Sequence, residues 1–495
     1  MKNRLLSKVM AGTLAGALLF TGCASTTTTS ESAGTTEAAA SSDTNTAEAS
    51  TVALSRDDIT INETNECSED STHAIEVSGE ESSYSNIEVI KTGDSDQGDE
   101  ADFYGDNAAI FATDGATLDL SNIVVDTNGE HANAVFSYGE GTTVNISDSY
   151  ITTAGNCSGG LMTTGGGTMN ADNVTVETSG NSSASIRSDR GGGTVTVNGG
   201  SYTTSGVGSP TIYSTADITV NDATLTSTAS QGVVVEGNNS ATLNNVTLNA
   251  DNTTKNGDNS PYYQAVMIYQ SMSGDAEEGD AYFTMTDGSL TNNTGDIFFV
   301  TNTVADINLE NVAITNNDAD GIFLRAAAAG WGSEGSNGGQ VNVNASNQTI
   351  DGDMVIDDVS VMNLYLNDGS TYTGAINSDG AAGDVYVEIS DDSTWTLTGD
   401  SYITALTCDA DSIDLNGYTL YVDGEAYTEG AASTGEAYEL SISSGGSEDG
   451  MPEGGAPEGA PSGEAPSGEA PSGEKPSGEK PSGEKPSGEK PGSSN

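Results

Sequence analysis

The stretch from Leu118 to Asn239 decides the fold, because one short pattern is repeated along it five times. Each copy begins with an apolar–polar–apolar run that ends in a turn pair, as in Leu118-Asp-Leu-Ser-Asn. A second short run, such as Tyr150-Ile-Thr-Thr, and a third, such as Gly160-Leu-Met, complete the copy. The copies start 26, 25, 26 and 23 residues apart, at Leu118, Val144, Met169, Val195 and Ile218. A period in this range, built from strands and turns, indicates stacked coils.

The same pattern continues over most of the remaining chain. Alternation with a period of two predicts strands, and the Asn, Asp and Gly pairs predict turns with left-handed residues. Successive repeats are in phase, so each strand should pair in parallel with its equivalent in the next coil, about 4.8 Å away. A β-sandwich or propeller would need antiparallel pairing. Later copies start at Ala241, Phe283, Ile307, Val341, Leu364, Val387 and Ile413, and the intervals of 42 and 34 residues predict inserted loops.

Stacked coils also predict a column of turn residues, one from each coil. Carboxylates in adjacent coils would repel each other, and the column separates Asp by Asn, Gly or Ala except at one step. We interpret it as a turn ladder, with calcium between Asp368 and Asp391 as an alternative for that step. The predicted column is Asn122, Asp148, Asn173, Gly199, Asp222, Asn245, Asp287, Asn311, Ala345, Asp368, Asp391 and Gly417.

The repeats predict an all-β, parallel β-helix domain over residues 57–445. Over roughly 57–425 this periodicity resembles the right-handed parallel β-helix of the pectate lyase-like superfamily. The resemblance implies a right-handed solenoid. Catalytic members combine acidic calcium ligands with a basic residue, or paired aspartates with His and Arg/Lys. No such motif is matched, so no catalytic residue is carried over.

The two ends of the chain differ in composition from the repeats. Residues 1–22 have Lys2, Arg4 and Lys8 before an apolar stretch, which predicts an export signal. The following Thr21-Gly22-Cys23 resembles the lipobox of bacterial lipoproteins, which implies a lipid on Cys23 that anchors the chain to a membrane. An ordinary signal peptide is the alternative. Residues 23–56 predict a disordered Ser/Thr-rich tether, and 446–495, with a repeated Pro-Ser-Gly-Glu-Lys, predict a disordered tail.

Charge excludes one class of partner. The chain has 13 Lys and Arg against 74 Asp and Glu, for a net charge of -61. Such a surface repels nucleic acid and anionic lipid head groups, so we predict no nucleic-acid partner. The four cysteines form no CxxC pair and no metal-ligand pattern, and the two histidines, His73 and His131, match no catalytic motif. Neither redox nor zinc chemistry is predicted.

Binding residues are expected in the loops, because insertions in solenoids tend to carry the binding surface. Loops 93–106 and 251–263 interrupt the same turn and each ends in two aromatic residues, whereas loops 271–280 and 326–339 occupy another turn. Exposed aromatic rings would suit sugar stacking, and the alternative is that they pack against the rod. Arg187 and Arg190 could bind a uronate, or could form local salt bridges with Asp189 and other carboxylates. The candidate ligand-binding residues are Phe103, Tyr104, Tyr262, Tyr263, Trp331, Arg187 and Arg190.

The first loop also has the composition of a calcium site. Its acidic residues alternate around Gly98, and oxygen ligands around a glycine bend suit Ca²⁺. It does not complete an EF-hand, and a solvated acidic loop is the alternative. The candidate ligands are Asp94, Asp96, Asp99, Glu100 and Asp102.

Together these features predict a lipid-anchored β-helix displayed outside the cell. Our leading hypothesis is a non-enzymatic adhesin or carbohydrate-binding protein whose partner is an extracellular glycan or a cell-surface ligand. The alternatives are a polysaccharide lyase or hydrolase acting on acidic glycans, and a purely structural surface rod.

Overall fold

Each repeat of the sequence forms one coil of the fold, and the coils stack in parallel as a β-helix. The computed structural model describes residues 53–255, 259–271, 273–380, 383–390 and 392–441. Within these residues the helices are a short 3₁₀ turn, Arg56–Asp58, and α1, Asp99–Tyr104. Three long parallel sheets of 10, 11 and 13 strands form the faces of the rod. The predicted all-β solenoid is therefore confirmed.

The first sheet takes one strand from each of ten coils. Its strands are β1 Glu63–Cys67, β4 Ile87–Lys91, β7 Val124–Thr127, β10 Tyr150–Thr153, β13 Thr175–Thr178, β16 Ser201–Thr204, β19 Thr224–Ser227, β22 Thr247–Ala250, β25 Ser289–Asn292 and β28 Ala313–Asn316.

The second sheet carries the site described below. Its strands are β2 Ile75–Ser78, β5 Ile110–Thr113, β8 Val135–Tyr138, β11 Leu161–Thr164, β14 Ile186–Ser188, β17 Ile212–Ser214, β20 Val233–Glu236, β23 Gln264–Tyr269, β26 Asp296–Thr301, β29 Leu324–Ala326 and β32 Met354–Ile356.

The third sheet is the longest and contains the first strand of each repeat. Its strands are β3 Glu81–Ser85, β6 Thr117–Ser121, β9 Thr143–Ser147, β12 Gly167–Asp172, β15 Gly193–Asn198, β18 Asp217–Asn221, β21 Ser240–Asn244, β24 Asp280–Thr286, β27 Thr303–Glu310, β30 Gly339–Ser346, β33 Val361–Asn367, β35 Asp384–Ile389 and β38 Ala405–Cys408.

Two smaller sheets complete the C-terminal coils. One is parallel and contains β31 Thr349–Asp351, β34 Thr371–Thr373, β36 Thr394–Thr396 and β39 Ile413–Asp414. The other contains β37 Ser401–Ile403, β40 Leu420–Val422 and β41 Glu425–Ala426, with β41 antiparallel to β40.

The apolar residue that opens each repeat lies inside the rod. Leu118 pairs with Val144, and Met169 with Val144 and Val195, so equivalent side chains stack coil upon coil. All four are fully buried. Burial of an aliphatic side chain contributes about 1.5–3 kcal/mol, and the alternating pattern repeats this contribution along the whole rod.

The turn column is a ladder of left-handed residues. Asp148 and Asn173 have φ values of 46° and 53°, and the Asn173 side chain donates a hydrogen bond to Asp148 Oδ1 at 2.7 Å. Asn245 donates in the same way to Asp222, at 2.7 Å. Asn and Asp tolerate this backbone region better than most residues. The predicted ladder is confirmed in these coils, and the alternation supplies a donor to each of these carboxylates.

The predicted register is wrong at two positions near the C-terminal end. Ile307 pairs with Val343 instead of Val341, and the left-handed turn residue of that coil is Asn347 rather than Ala345. A slip of two residues keeps every side chain on its face, so alternation alone cannot detect it. Ile413 belongs to the smaller parallel sheet and pairs with Trp395.

The last described residues turn back over the third sheet. The Tyr438 N–H donates to Asn363 Oδ1 at 3.0 Å, and the Asn363 side chain donates to the Tyr438 carbonyl at 2.9 Å. Further along, the Ser441 N–H donates to Gln340 Oε1 at 2.9 Å. The chain thus crosses from β38 towards β30 on the outside of the rod.

Several predictions about the chain ends fall beyond the described residues. The export signal 1–22, Cys23, most of the tether and the tail 446–495 all lie there, and so does Asp391 of the turn column. Among the residues that the structure does describe, no helix is both long and apolar enough to span a membrane.

Replacing Asn173 by Asp should destabilise the rod, because two carboxylates would then face each other across one coil step. We expect Asn173→Asp to lower the free energy of unfolding by about 1–2 kcal/mol, from the lost hydrogen bond and the new repulsion. Urea unfolding at low and high salt would measure this, with a smaller loss at high salt. The double variant Asp148→Asn/Asn173→Asp restores one carboxylate and one amide, so it should recover most of the stability. Equal destabilisation of both variants would contradict the ladder account.

Candidate functional site

The outer face of the second sheet is apolar over much of its length. Several of its strands are buried on both sides, for example Val233–Glu236. Apolar side chains on an outward face need a cover, and the inserted loops supply it. Following the register from coil to coil, the outward column is Phe111, Phe136, Met162, Arg187, Tyr213, Val234, Met267, Phe299 and Arg325.

Loop 93–106, which we call the first lobe, covers the N-terminal part of this column. Phe111, Phe136 and Met162 form a small apolar cluster with each other outside the main core. Gly105 ends α1 with φ 74°, and a Cβ atom there would lie 2.6 Å from the Phe111 ring. Thr164 on β11 donates a hydrogen bond to the Phe103 carbonyl at 2.7 Å, which fastens α1 to the sheet. The loop therefore packs onto the rod.

Loops 259–263 and 326–339, which we call the second lobe, cover the column further along. They pack on a second apolar cluster that contains Met267 and Phe299. The Tyr262 ring meets Phe299 edge-to-face at 5.2 Å, and Trp331 meets Tyr269 in the same way at 5.0 Å. Tyr262 and Trp331 thus pack on the sheet. Packing against the rod is the alternative to sugar stacking that the sequence left open for them.

Arg187 lies in the gap between the two lobes and binds three acceptors. Its Nε lies 2.8 Å from Asp189 Oδ2, and its Nη2 lies 3.2 Å from Asp102 Oδ2. Its Nη1 donates to the Ser182 carbonyl at 3.1 Å. Asp189 is two residues away on the chain, whereas Asp102 is brought in by α1. The local salt bridge considered from sequence is present, and a second carboxylate adds to it.

Arg190 lies at the open edge of the same gap and joins two loops. It pairs with Asp275 of loop 271–280 at 2.8 Å, and its guanidinium lies 4.1 Å from the centre of the Phe103 ring. Phe103 is buried, whereas the neighbouring Tyr104 is 45% exposed and meets Tyr138 edge-on at 6.0 Å. Phe103 therefore packs against the rod, which is one of the two alternatives left open by the sequence, whereas Tyr104 is exposed.

These side chains line a cleft of about 260 Å³. Charged groups of both signs, two aromatic rings and a proline face the same space, so it combines hydrogen-bonding groups with apolar surface. The lining residues are Phe103, Ser182, Ala184, Arg187, Asp189, Gly208, Pro210, Tyr213 and Asp275.

A buried acid and two tyrosines form the floor beside this cleft. Glu236 is 1% exposed, and its Oε2 accepts hydrogen bonds from Tyr269, at 2.8 Å, and from Tyr213. Burial and the Glu236 charge hold the pKa of both tyrosine hydroxyls well above the ordinary range. Both tyrosines therefore remain hydrogen-bond donors at any physiological pH.

The two carboxylates that flank Arg187 differ in proton affinity. Burial alone would raise the pKa of Asp102, but Arg187, His131 and Asn133 outweigh it and hold that pKa below the usual range. Burial raises the pKa of Asp189 to about 7, against the opposing effect of Arg187, and Asp102 adds to the rise. The difference arises because Asp102 accepts from several donors while Asp189 faces other acids.

His131 and Cys157 also lie at this site, which sequence reasoning missed. His131 Nδ1 lies 3.2 Å from Asp102 Oδ1, and single donor atoms of Asp102, His131 and Cys157 lie within 4.8 Å of one another. The prediction that the cysteines form no metal-ligand pattern is therefore wrong for Cys157, whose thiol lies in a group of metal-ligand spacing. His131 and Cys157 are 26 residues apart, which is the length of one coil, so they occupy the same turn of adjacent coils. This spacing is the sequence signal that predicts their contact.

The remaining candidate aromatic residues do not reach this cleft. Tyr262 stacks under the guanidinium of Arg325, 4.2 Å from its ring centre, and Arg325 pairs with Asp296 at 2.7 Å. Tyr263 lies 5.1 Å from Lys255 Nζ. The structure thus brings Phe103, Tyr104, Arg187 and Arg190 together and leaves Tyr262, Tyr263 and Trp331 at the second lobe.

The acidic residues of the first lobe are used in different ways. Asp94 Oδ1 accepts from the Glu130 N–H at 2.8 Å, and Asp96 Oδ1 accepts from the Gln97 side chain at 3.0 Å. Asp102 turns inward to Arg187, and the side chain of Asp99 lies outside the described part. Among the side chains that the structure describes, Asp94, Asp96 and Glu100 form no group of metal-ligand spacing. A calcium site in this loop stays a prediction.

No protein-family model matches this sequence, and no match was found among curated proteins or solved structures. The function must therefore be argued from the site itself.

The raised pKa of Asp189 predicts a pH dependence of stability. The folded chain keeps this proton up to about pH 7, whereas the unfolded chain loses it near pH 4. The stability that Asp189 contributes is therefore complete below about pH 4 and is lost as the pH rises to about 7, with a slope of at most about 1.4 kcal/mol per pH unit. Urea unfolding between pH 4 and 8 should show a smaller decline for Asp189→Asn than for the wild type.

The matched control is Asp217→Asn, since Asp217 is an exposed acid at the start of β18. It should reproduce the wild-type profile apart from a uniform offset. If Asp189→Asn and Asp217→Asn change the profile equally, the dependence comes from overall charge and not from Asp189.

Proposed function

We propose that this chain is an exported, surface-displayed protein that binds carbohydrate in the cleft between its first lobe and loop 271–280. The observation that carries the proposal is the edge of the cleft: Asp275 lines the cleft and pairs with Arg190, and Arg190 also interacts with the side chain of the exposed Tyr104. An exposed ring beside a paired cation and carboxylate offers stacking, donors and acceptors within one small surface. A sugar ring, with an apolar face and several hydroxyls, can use all three.

Each group has a defined part in this proposal. Asp275 accepts hydrogen bonds from sugar hydroxyls, and Arg190, whose side chain is 42% exposed, donates to ring or hydroxyl oxygens. Tyr104 presents an exposed ring to an apolar sugar face. Because these groups stand on loops fixed to a rigid rod, little ordering is needed on binding.

Charge and geometry favour a neutral or amino sugar over a uronate. The net charge of -61 repels polyanions and attracts cations. Arg187, the most buried cation of the cleft, already binds Asp102, Asp189 and the Ser182 carbonyl, so it has little capacity left for a substrate carboxylate. This weighs against the alternative of a lyase or hydrolase acting on acidic glycans.

Display outside the cell is supported by the sequence ends and by the shape of the rod. The first 23 residues resemble a lipoprotein signal, which implies an anchor at Cys23, before the predicted tether. The 13 strands of the third sheet, about 4.8 Å apart, give a rod about 58 Å long. The cleft lies in the N-terminal half of this rod, at β14 and β17, so the predicted tether would set its distance from the anchor.

Glycan binding should depend on Tyr104 and Asp275. On an array that contains neutral, amino and uronic sugars, we expect saturable binding to neutral or amino sugars. Tyr104→Ala and Asp275→Ala should each weaken it about fivefold or more, corresponding to about 1 kcal/mol. Tyr418→Ala is the matched control, because Tyr418 is similarly exposed, at 43%, but lies near the other end of the rod.

The same array distinguishes the alternatives. Release of shortened or unsaturated product would favour the enzymatic hypothesis over this proposal. Absence of saturable binding in the wild type would leave the structural rod, and equal losses in all three variants would rule out the cleft as the site.

Lipid anchoring has a separate test. In the producing cell, Cys23→Ser should move the protein from the membrane fraction to the medium or the soluble fraction and abolish labelling by a fatty-acid probe. Cys67→Ser should leave both unchanged, because Cys67 lies in the β-helix at the end of β1. Unchanged membrane association of Cys23→Ser would contradict the anchoring proposal.

A further inference from the structure

The turn between the first and second sheets stacks a histidine directly on a cysteine. His131, Cys157 and Ser182 occupy equivalent left-handed positions in three successive coils, with φ values of 57°, 53° and 55°. The His131 N–H donates to the Asn156 carbonyl at 2.9 Å, and the Cys157 N–H donates to the Asn181 carbonyl at 2.8 Å. These bonds hold the coils in register, so the three side chains project in the same direction about one coil step apart.

Asp102 reaches the same place from α1 and adds a third donor. Its side chain is 2% exposed, and Oδ2 is held by Arg187 while Oδ1 accepts from the Asn133 side chain at 3.0 Å. Oδ1 also faces His131 Nδ1 at 3.2 Å. His131 is 6% exposed, so a buried ring nitrogen and a buried carboxylate oxygen face each other beside the Cys157 thiol.

We propose that Asp102, His131 and Cys157 bind one zinc ion or a metal of similar preference. A thiolate, an imidazole and a carboxylate form a typical donor set for Zn²⁺, whereas Ca²⁺ and Mg²⁺ select oxygen ligands only. Ligand atoms in a tetrahedral zinc site lie about 3.5 Å apart, so donors now within 4.8 Å of one another would close by about 1 Å. The fourth position is left for water or a bound ligand.

The surroundings suit this role. Arg187 and Asn133 orient the carboxylate in the way that outer-shell partners of metal ligands do. Cys157 would bind the ion as the thiolate and release its proton on binding. Arg187 already pairs with the Asp102 carboxylate, so the incoming cation does not meet an unpaired positive charge.

Metal binding would cross-link the first lobe to two adjacent coils. Asp102 belongs to α1, while His131 and Cys157 belong to successive turns of the rod. The ion would therefore fix the lobe that carries Tyr104 at one wall of the cleft. This inference does not require that the cleft binds carbohydrate.

The test uses the full chain, reduced and stripped of metal with a chelator. Calorimetric titration should show one Zn²⁺ site per chain, and Co²⁺ should give the thiolate-to-cobalt charge-transfer absorption. Cys157→Ser and His131→Asn should each weaken Zn²⁺ binding about 100-fold or more, because removing even an outer-shell partner costs up to that much. Cys157→Ser should also abolish the charge-transfer band. Ca²⁺ is titrated in parallel, and should not compete with Zn²⁺ at this site.

Both substitutions keep the backbone of the turn. Serine already occupies the equivalent position at Ser182, and asparagine tolerates left-handed geometry, so the far-UV circular dichroism should be unchanged. Cys67→Ser is the control and should bind Zn²⁺ like the wild type. A wild type without the cobalt–thiolate band, or a band that persists in Cys157→Ser, would overturn the proposal.

Discussion

Parallel stacking of the coils in a fixed register is the constraint on which the rest of the structure depends. Because each backbone strand hydrogen-bonds to its equivalent in the next coil, residues about 25 positions apart in sequence become neighbours about 4.8 Å apart. A favourable or unfavourable contact between equivalent side chains can therefore recur at every step between coils. Asn173 can satisfy Asp148 for this reason, and His131 lies over Cys157 for the same reason.

The loops are fixed by a second consequence of the same geometry. An outward column of apolar side chains on the second sheet must be covered, so the insertions fold back onto the rod instead of projecting into solvent. Between the two covered stretches the column contains Arg187, whose buried charge pairs with the Asp102 carboxylate and lies beside Asp189. The ion pair thus holds α1 in place and forms one wall of the cleft.

The sequence was sufficient for the coil, the strands and the turn ladder, because period-two alternation and the Asn/Asp turns are local signals. It was insufficient for the register at Val343, since a two-residue slip leaves the alternation intact. It also did not indicate the contact that Asp102, a candidate calcium ligand, makes with Arg187, because nothing local shows that α1 places this residue there. The covered outer face of the second sheet does have a local signal. At Val135-Phe136 and Leu161-Met162 two adjacent residues are apolar, which indicates a strand that is buried on both faces.

Hydrogen exchange of the α1 amides in Arg187→Met tests most directly whether the ion pair fixes the first lobe. Methionine fits the apolar column but cannot hold Asp102, so the Gly105 N–H, which donates to the Ala101 carbonyl at 2.9 Å, should exchange at least about tenfold faster than in the wild type. Amides of β11 and β17 should keep their protection. Unchanged exchange at Gly105, with Asp102 released from its partner, would contradict the account.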